Sequence, residues 1–68
     1  MAMPSLHGKR IKCVYLINHP VEKNIDGQLL FWVEDYGDRT ESWVVKLVNN
    51  VEICRYNIID VSKIEWLL

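Results

Sequence analysis

The chain has 68 residues, half of them apolar, a quarter charged and only three of them glycine, which fits one small domain over residues 1–68 and leaves no room for a second. Eight Lys and Arg against nine Asp and Glu give a formal charge of −1, which excludes both a polycation that coats nucleic acid by charge alone and a disordered acidic tail. A single core of this size supplies only ~3–5 kcal/mol, so a partner or self-association is a natural supplement.

Residues 1–8 are expected to form a flexible N-terminal segment. The opening Met-Ala-Met-Pro-Ser-Leu-His has no apolar h-region, and no apolar run approaches the ~18–20 residues that span a bilayer; the expectation is a cytoplasmic protein with no membrane contact. Residues 9–18, Lys-Arg-Ile-Lys-Cys-Val-Tyr-Leu-Ile-Asn, are rich in β-branched and aromatic types that suit a pleated surface, and they predict a first strand. His19-Pro20 halts it, because proline lacks an amide hydrogen and pushes the residue before it out of the α region. Glu22 to Gln28, with Asn24 and the Asp26-Gly27 pair, continues as a long loop.

Leu29 to Glu34 predicts a second strand, and Asp35-Tyr36-Gly37-Asp38-Arg39-Thr40 a turn whose glycine takes positive φ without Cβ strain. A third strand follows from about Glu41 to Val48. Asn49-Asn50 has the chemistry of a two-residue type I′ turn, since asparagine tolerates the left-handed region. Val51 to Asn57 is then the fourth strand. Asp60-Val61-Ser62-Lys63 is too short for a free-standing helix and predicts one 3₁₀ turn, with Ile64 to Leu68 as the closing strand.

The expected fold class is therefore all-β: a small five-stranded antiparallel barrel or strongly bent sheet, with one 3₁₀ turn before the last strand. This order of elements resembles the architecture of Src-homology-three, Tudor and Sm barrels, although neither an acidic-aromatic "ALYDY"-like opening nor a paired Sm signature is present. An open sheet of four or five strands that covers its second face by dimerising is the alternative. With Asn49-Asn50 as the turn, Val48 faces Val51, Lys46 faces Ile53 and Val44 faces Arg55, while Leu47 meets Glu52, Val45 meets Cys54 and Trp43 meets Tyr56. The second set looks like core. The first still carries Val44, Val48, Val51 and Ile53, an apolar face that predicts either barrel coiling or a homodimer formed through those four residues.

No catalytic constellation emerges, and the chain is expected not to be an enzyme. The two cysteines, Cys13 and Cys54, sit in apolar strands as free thiols rather than in a disulfide framework. His7 and His19 share no ligand spacing with them, so neither metal nor cofactor is expected. Cys13 and His19 lie ~20 Å apart along an extended strand, too far for a nucleophile pair. Gly8, Gly27 and Gly37 are isolated and form no phosphate cradle.

Two charged features remain. The turn from Glu34 to Glu41 holds four acids and one base around a tyrosine; Asp35, Tyr36, Asp38, Arg39 and Glu41 are the candidate contacts to a protein partner with a basic surface, because tyrosine and arginine on a rigid hairpin anchor interfaces and carboxylates steer. The basic stretch Lys9, Arg10 and Lys12 is the candidate for nucleic-acid contact, the alternative function, with Tyr15, Trp32, Tyr36, Trp43 and Tyr56 as aromatics able to stack bases. The leading expectation is a non-catalytic protein-interaction module or small regulatory protein that acts by surface binding.

Overall fold

The computed structural model describes residues 8–67. It is all-β, with strands β1 (Lys9–Leu16), β2 (Glu22–Lys23), β3 (Gln28–Asp35), β4 (Thr40–Val48), β5 (Val51–Asn57) and β6 (Val61–Trp66), and a 3₁₀ turn over Ile58–Asp60 before β6. Of the expected flexible segment, residues 1–7 lie outside the described residues; Gly8 is set against β3, where a Cβ would come within 2.7 Å of the Phe31 carbonyl oxygen.

All pairings are antiparallel. β3, β4 and β5 form a meander. β1 pairs with β3 through Lys9, Arg10 and Ile11, with β2 through Cys13 and Val14, and along its other edge with β6. The five long strands curl into a half-barrel. Among the described residues β5 and β6 each keep one edge unpaired by backbone.

Local chemistry accounts for these elements. Asn49 and Asn50 both take positive φ, 53° and 64°, as a type I′ hairpin requires. After Leu16 the chain turns through Asn18, also at positive φ. The expected long loop is not wholly irregular: Glu22 and Lys23 fold back as β2, because the turn at 17–21 returns the chain alongside β1. Asn24 holds the following bend by donating from Nδ2 to the Ile11 carbonyl at 3.2 Å. Gly27 is required by close approach, since a Cβ there would fall 2.2 Å from the Leu47 carbonyl oxygen. The 3₁₀ turn begins earlier than residue 60, because Asn57 caps it by accepting from the Ile59 amide at 3.1 Å. β6 accordingly starts at Val61 and not at Ile64.

Both faces of the sheet are apolar, and curling separates them into two clusters. Ile11, Val14, Leu29 and Val44, each 0% exposed, fill the concave side, flanked by Leu16, Phe31, Tyr56, Val61 and Ile64. Leu30, Val45 and Leu47 lie on the convex side beneath Trp32 and Trp43. Full burial of a side chain such as Ile11 or Leu29 contributes about 1.5–3 kcal/mol.

The hairpin register corrects the expected division of β4 and β5. Val48 faces Val51 and Leu47 faces Glu52, but a bulge at Ile53 shifts the ladder, so Lys46 meets Cys54, Val45 meets Arg55, Val44 meets Tyr56 and Trp43 meets Asn57. An inserted residue reverses the facing of everything beyond it. Tyr56 therefore joins Val44 in the concave core, and Arg55 moves to the convex face. The set Val44, Val48, Val51 and Ile53 is not one exposed face: Val44 is fully buried, Val48 is half-buried, and only Val51 and Ile53, at 62% and 55%, reach solvent. Both cysteines are free thiols, Cys13 buried and Cys54 half-buried. Among the described residues no helix is long and apolar enough to cross a membrane.

Candidate interaction surface

The β3–β4 hairpin ends in a turn that its own backbone closes. The Tyr36 amide donates to the Arg39 carbonyl at 2.8 Å, and the Gly37 amide to Asp35 Oδ1 at 2.8 Å. Gly37 takes φ +90°, a conformation that glycine alone adopts freely. The turn lays the Arg39 guanidinium over the Tyr36 ring, 4.6 Å from its centroid. Arg39 also donates from Nε to Glu41 at 2.7 Å and reaches Asp38 at 3.5 Å. The five residues expected to contact a partner, Asp35, Tyr36, Asp38, Arg39 and Glu41, are thus gathered on one hairpin end.

That end is wired to the convex face. The Tyr36 hydroxyl donates to Glu34 Oε2 at 2.6 Å, and the other Glu34 oxygen accepts from Arg55 Nη1 at 2.6 Å. Arg55 holds Glu52 through two further bonds and lies over the Trp43 ring at 5.1 Å. Trp43 stands opposite Trp32 in the β3–β4 ladder. The Tyr36 hydroxyl and then Arg55 hold the Glu34 carboxyl below its ordinary range, and the Glu34 carboxylate pushes the Tyr36 hydroxyl up. Exposed ion pairs contribute ~0.2–1 kcal/mol each and exposed cation–π contacts ~0.5–1 kcal/mol, so the network orders the surface more than it stabilises the fold.

A second polar group bridges the open side of the half-barrel. Glu22 on β2 reaches across the concave side to Lys46 on β4 and accepts from the Tyr56 hydroxyl on β5 at 3.0 Å. The Cys54 thiol donates to the same hydroxyl at 3.6 Å. Lys46 and then Tyr56 hold the Glu22 carboxyl low, while burial above all pushes the Tyr56 hydroxyl up. Above this clasp the 17–21 turn and the 3₁₀ turn border an open recess of about 560 Å³, with Leu16, Pro20, Tyr56 and Asp60 in its walls.

The basic stretch is not one groove. Lys9, opposite Phe31, lies over the Trp66 ring on the concave side at 5.1 Å, whereas Arg10, opposite Leu30, takes the convex side with Lys12. Among the described residues no group of three His, Cys, Asp or Glu side chains is placed to hold a metal ion. The sequence reading missed the Glu34–Arg55 link and the Glu22–Lys46–Tyr56 clasp. Their partners are 21 to 34 residues apart, and only a charge-complementary pair on facing strands could have hinted at them. No family model, no curated protein and no solved structure matches this chain.

Proposed function

We propose that this chain is a non-catalytic protein-interaction module that engages a partner with its β3–β4 hairpin end and the adjoining Trp43–Arg55 surface. The observation that carries the reading is the Tyr36–Arg39 pair: an aromatic ring 45% exposed, stacked by a guanidinium, on a hairpin whose turn bonds fix both. Tyrosine and arginine dominate interface energetics, and fixing them in advance reduces the ordering cost of binding. Glu34, Asp35, Asp38 and Glu41 outnumber Arg39 around the ring and favour a basic partner surface.

Selection of displayed random peptides on the immobilised domain tests this. Basic sequences should be enriched, and the selected peptides should bind the Tyr36→Ala, Arg39→Ala double variant at least about tenfold more weakly, the loss of one modest hot spot. Peptides that bind this variant as tightly as the unchanged domain would place the interface elsewhere.

A further inference from the structure

The cations of this chain are segregated. Among the described residues Arg39, Lys46, Arg55 and Lys63 each have a carboxylate partner, whereas Lys9, Arg10, Lys12 and Lys23 have none within 4.0 Å. Those four lie on β1 and its neighbour β2. Arg10 shares the convex face with Leu30, Lys23 stands opposite Cys13, and Lys63 on β6 stands opposite Tyr15. Lys12, at the irregular step between Ile11 and Cys13, borders the same recess as Lys23. Lys12 and Lys23 border that recess with Glu65 as the one acid in its lining, Lys63 pairs with Glu65, and Arg10 lies on the same face of β1 opposite Leu30, a local excess of positive charge on a chain of net −1. Glu65 is already engaged, accepting from the Cys13 thiol at 3.1 Å and the Tyr15 hydroxyl at 3.3 Å and pairing with Lys63.

Beside these charges lies a recess of about 390 Å³, lined by Lys12, Tyr15, Lys23, Asn24, Ile25 and Glu65, with Tyr15 as its aromatic wall, inside the ~300–1,000 Å³ range of small-ligand sites. Two contacts fix the Tyr15 ring: its hydroxyl on Glu65, and the Lys63 ammonium over one face at 5.2 Å. Asn24 anchors the opposite wall through the Ile11 carbonyl.

We propose that this convex β1–β2–β6 face binds single-stranded nucleic acid, with phosphates on Arg10, Lys12 and Lys23 and one base seated in the recess against Tyr15. Unpaired cations flanking an aromatic platform match the two terms of single-strand binding, charge along the backbone and sequence-tolerant stacking. An acidic peptide would use the cations and leave the aromatic recess empty. The site is separate from the hairpin end and does not rest on the partner proposed for it.

Fluorescence anisotropy with a labelled oligothymidylate tests the proposal, with a polyglutamate peptide as competitor. Three phosphate contacts predict a slope of log affinity on log salt of about −2, and removal of two of them by Lys12→Gln with Lys23→Gln should reduce it to about −0.7. Both side chains are exposed, so that variant should fold. Tyr15→Leu should weaken binding by roughly tenfold while leaving the slope in place, as loss of stacking does. Tyr36→Ala should change nothing. Absence of binding at ~20 mM salt, where a three-contact binder is strongest, would overturn the proposal. So would affinity unchanged in the double lysine variant, or polyglutamate displacing the oligonucleotide at equal charge concentration, the mark of a surface for acidic protein.

Discussion

Glu22 does two jobs with one carboxylate: it neutralises Lys46 and accepts from Tyr56, and so joins β2 to β4 and β5 across the concave side of the half-barrel. Glu22→Gln keeps the shape and removes the charge, leaving the half-buried Lys46 ammonium without its counter-ion. The expected loss is about 1–2 kcal/mol, below the figure for a fully buried pair because both side chains retain some solvent. The pH dependence has a definite sign. A carboxyl whose folded pKa is lowered adds stability above its unfolded value, and that stability disappears as pH falls through the folded value. The urea midpoint of the unchanged protein should therefore fall below about pH 4, the ordinary glutamate range. Glu22→Gln should show a lower midpoint at pH 7 and a flatter decline in acid. Equal midpoints at pH 7 would mean that the clasp is ornamental. Trp43 makes the contrasting case, since its buried indole Nε1 has no acceptor among the described residues, which costs about 1–3 kcal/mol for an unmet buried donor; packing over Val45 and Leu47 retains it.

Among the described residues β6 pairs by backbone with β1 alone, yet it carries Ile64 into the concave core and sets Trp66 edge-on to Phe31 at 5.7 Å. A chain ending at Lys63 loses both side chains and uncovers the outer edge of β1. Half-buried Ile64 and Trp66, which is 40% exposed but packed on Phe31, together amount to about 2 kcal/mol, a large part of what a core of this size supplies. The 1–63 fragment should show no cooperative thermal transition by circular dichroism; a soluble fragment with a sharp melt would make the strand dispensable. The elements whose signals are local were legible in the sequence: the Asn49-Asn50 hairpin, the Val51–Asn57 strand and the Gly37 turn follow from residues that favour those conformations wherever they stand. The bulge at Ile53 was not, because the sequence around it alternates acceptably in either register and tertiary packing chooses between them. The Asn57 cap was legible in principle, as an asparagine two residues before the turn's second amide, but Asp60 offered the same chemistry three residues later. Tyr36 and Arg39 could be found as a pair because they share one turn; Tyr15, Lys23 and Lys63 could not, because only strand pairing brings them together.

Curling decides which of two apolar faces becomes the principal core, and that choice reverses the meaning of the even-numbered β4 residues. If Val44, Val48, Val51 and Ile53 formed an outer patch, a lysine at any of them would leave the monomer folded and alter only its association. In this half-barrel Val44 packs with Ile11, Val14 and Leu29 at full burial, whereas Val51 is mostly in solvent. Val44→Lys would bury an ammonium with no partner, and the several kcal/mol of desolvation exceed the stability available to a domain of this size. Val51→Lys alters an exposed hairpin position, where substitutions change stability by about 0.5 kcal/mol or less. Circular dichroism should therefore find Val44→Lys unfolded at 25 °C and Val51→Lys melting within a few degrees of the unchanged protein. Two folded variants with similar melting temperatures would mean that the concave and convex faces are exchanged. The Tyr36–Glu34–Arg55 network would then lie on the core side, where its ion pairs could not remain hydrated, so this pair of substitutions tests the placement of the interaction surface together with that of the core.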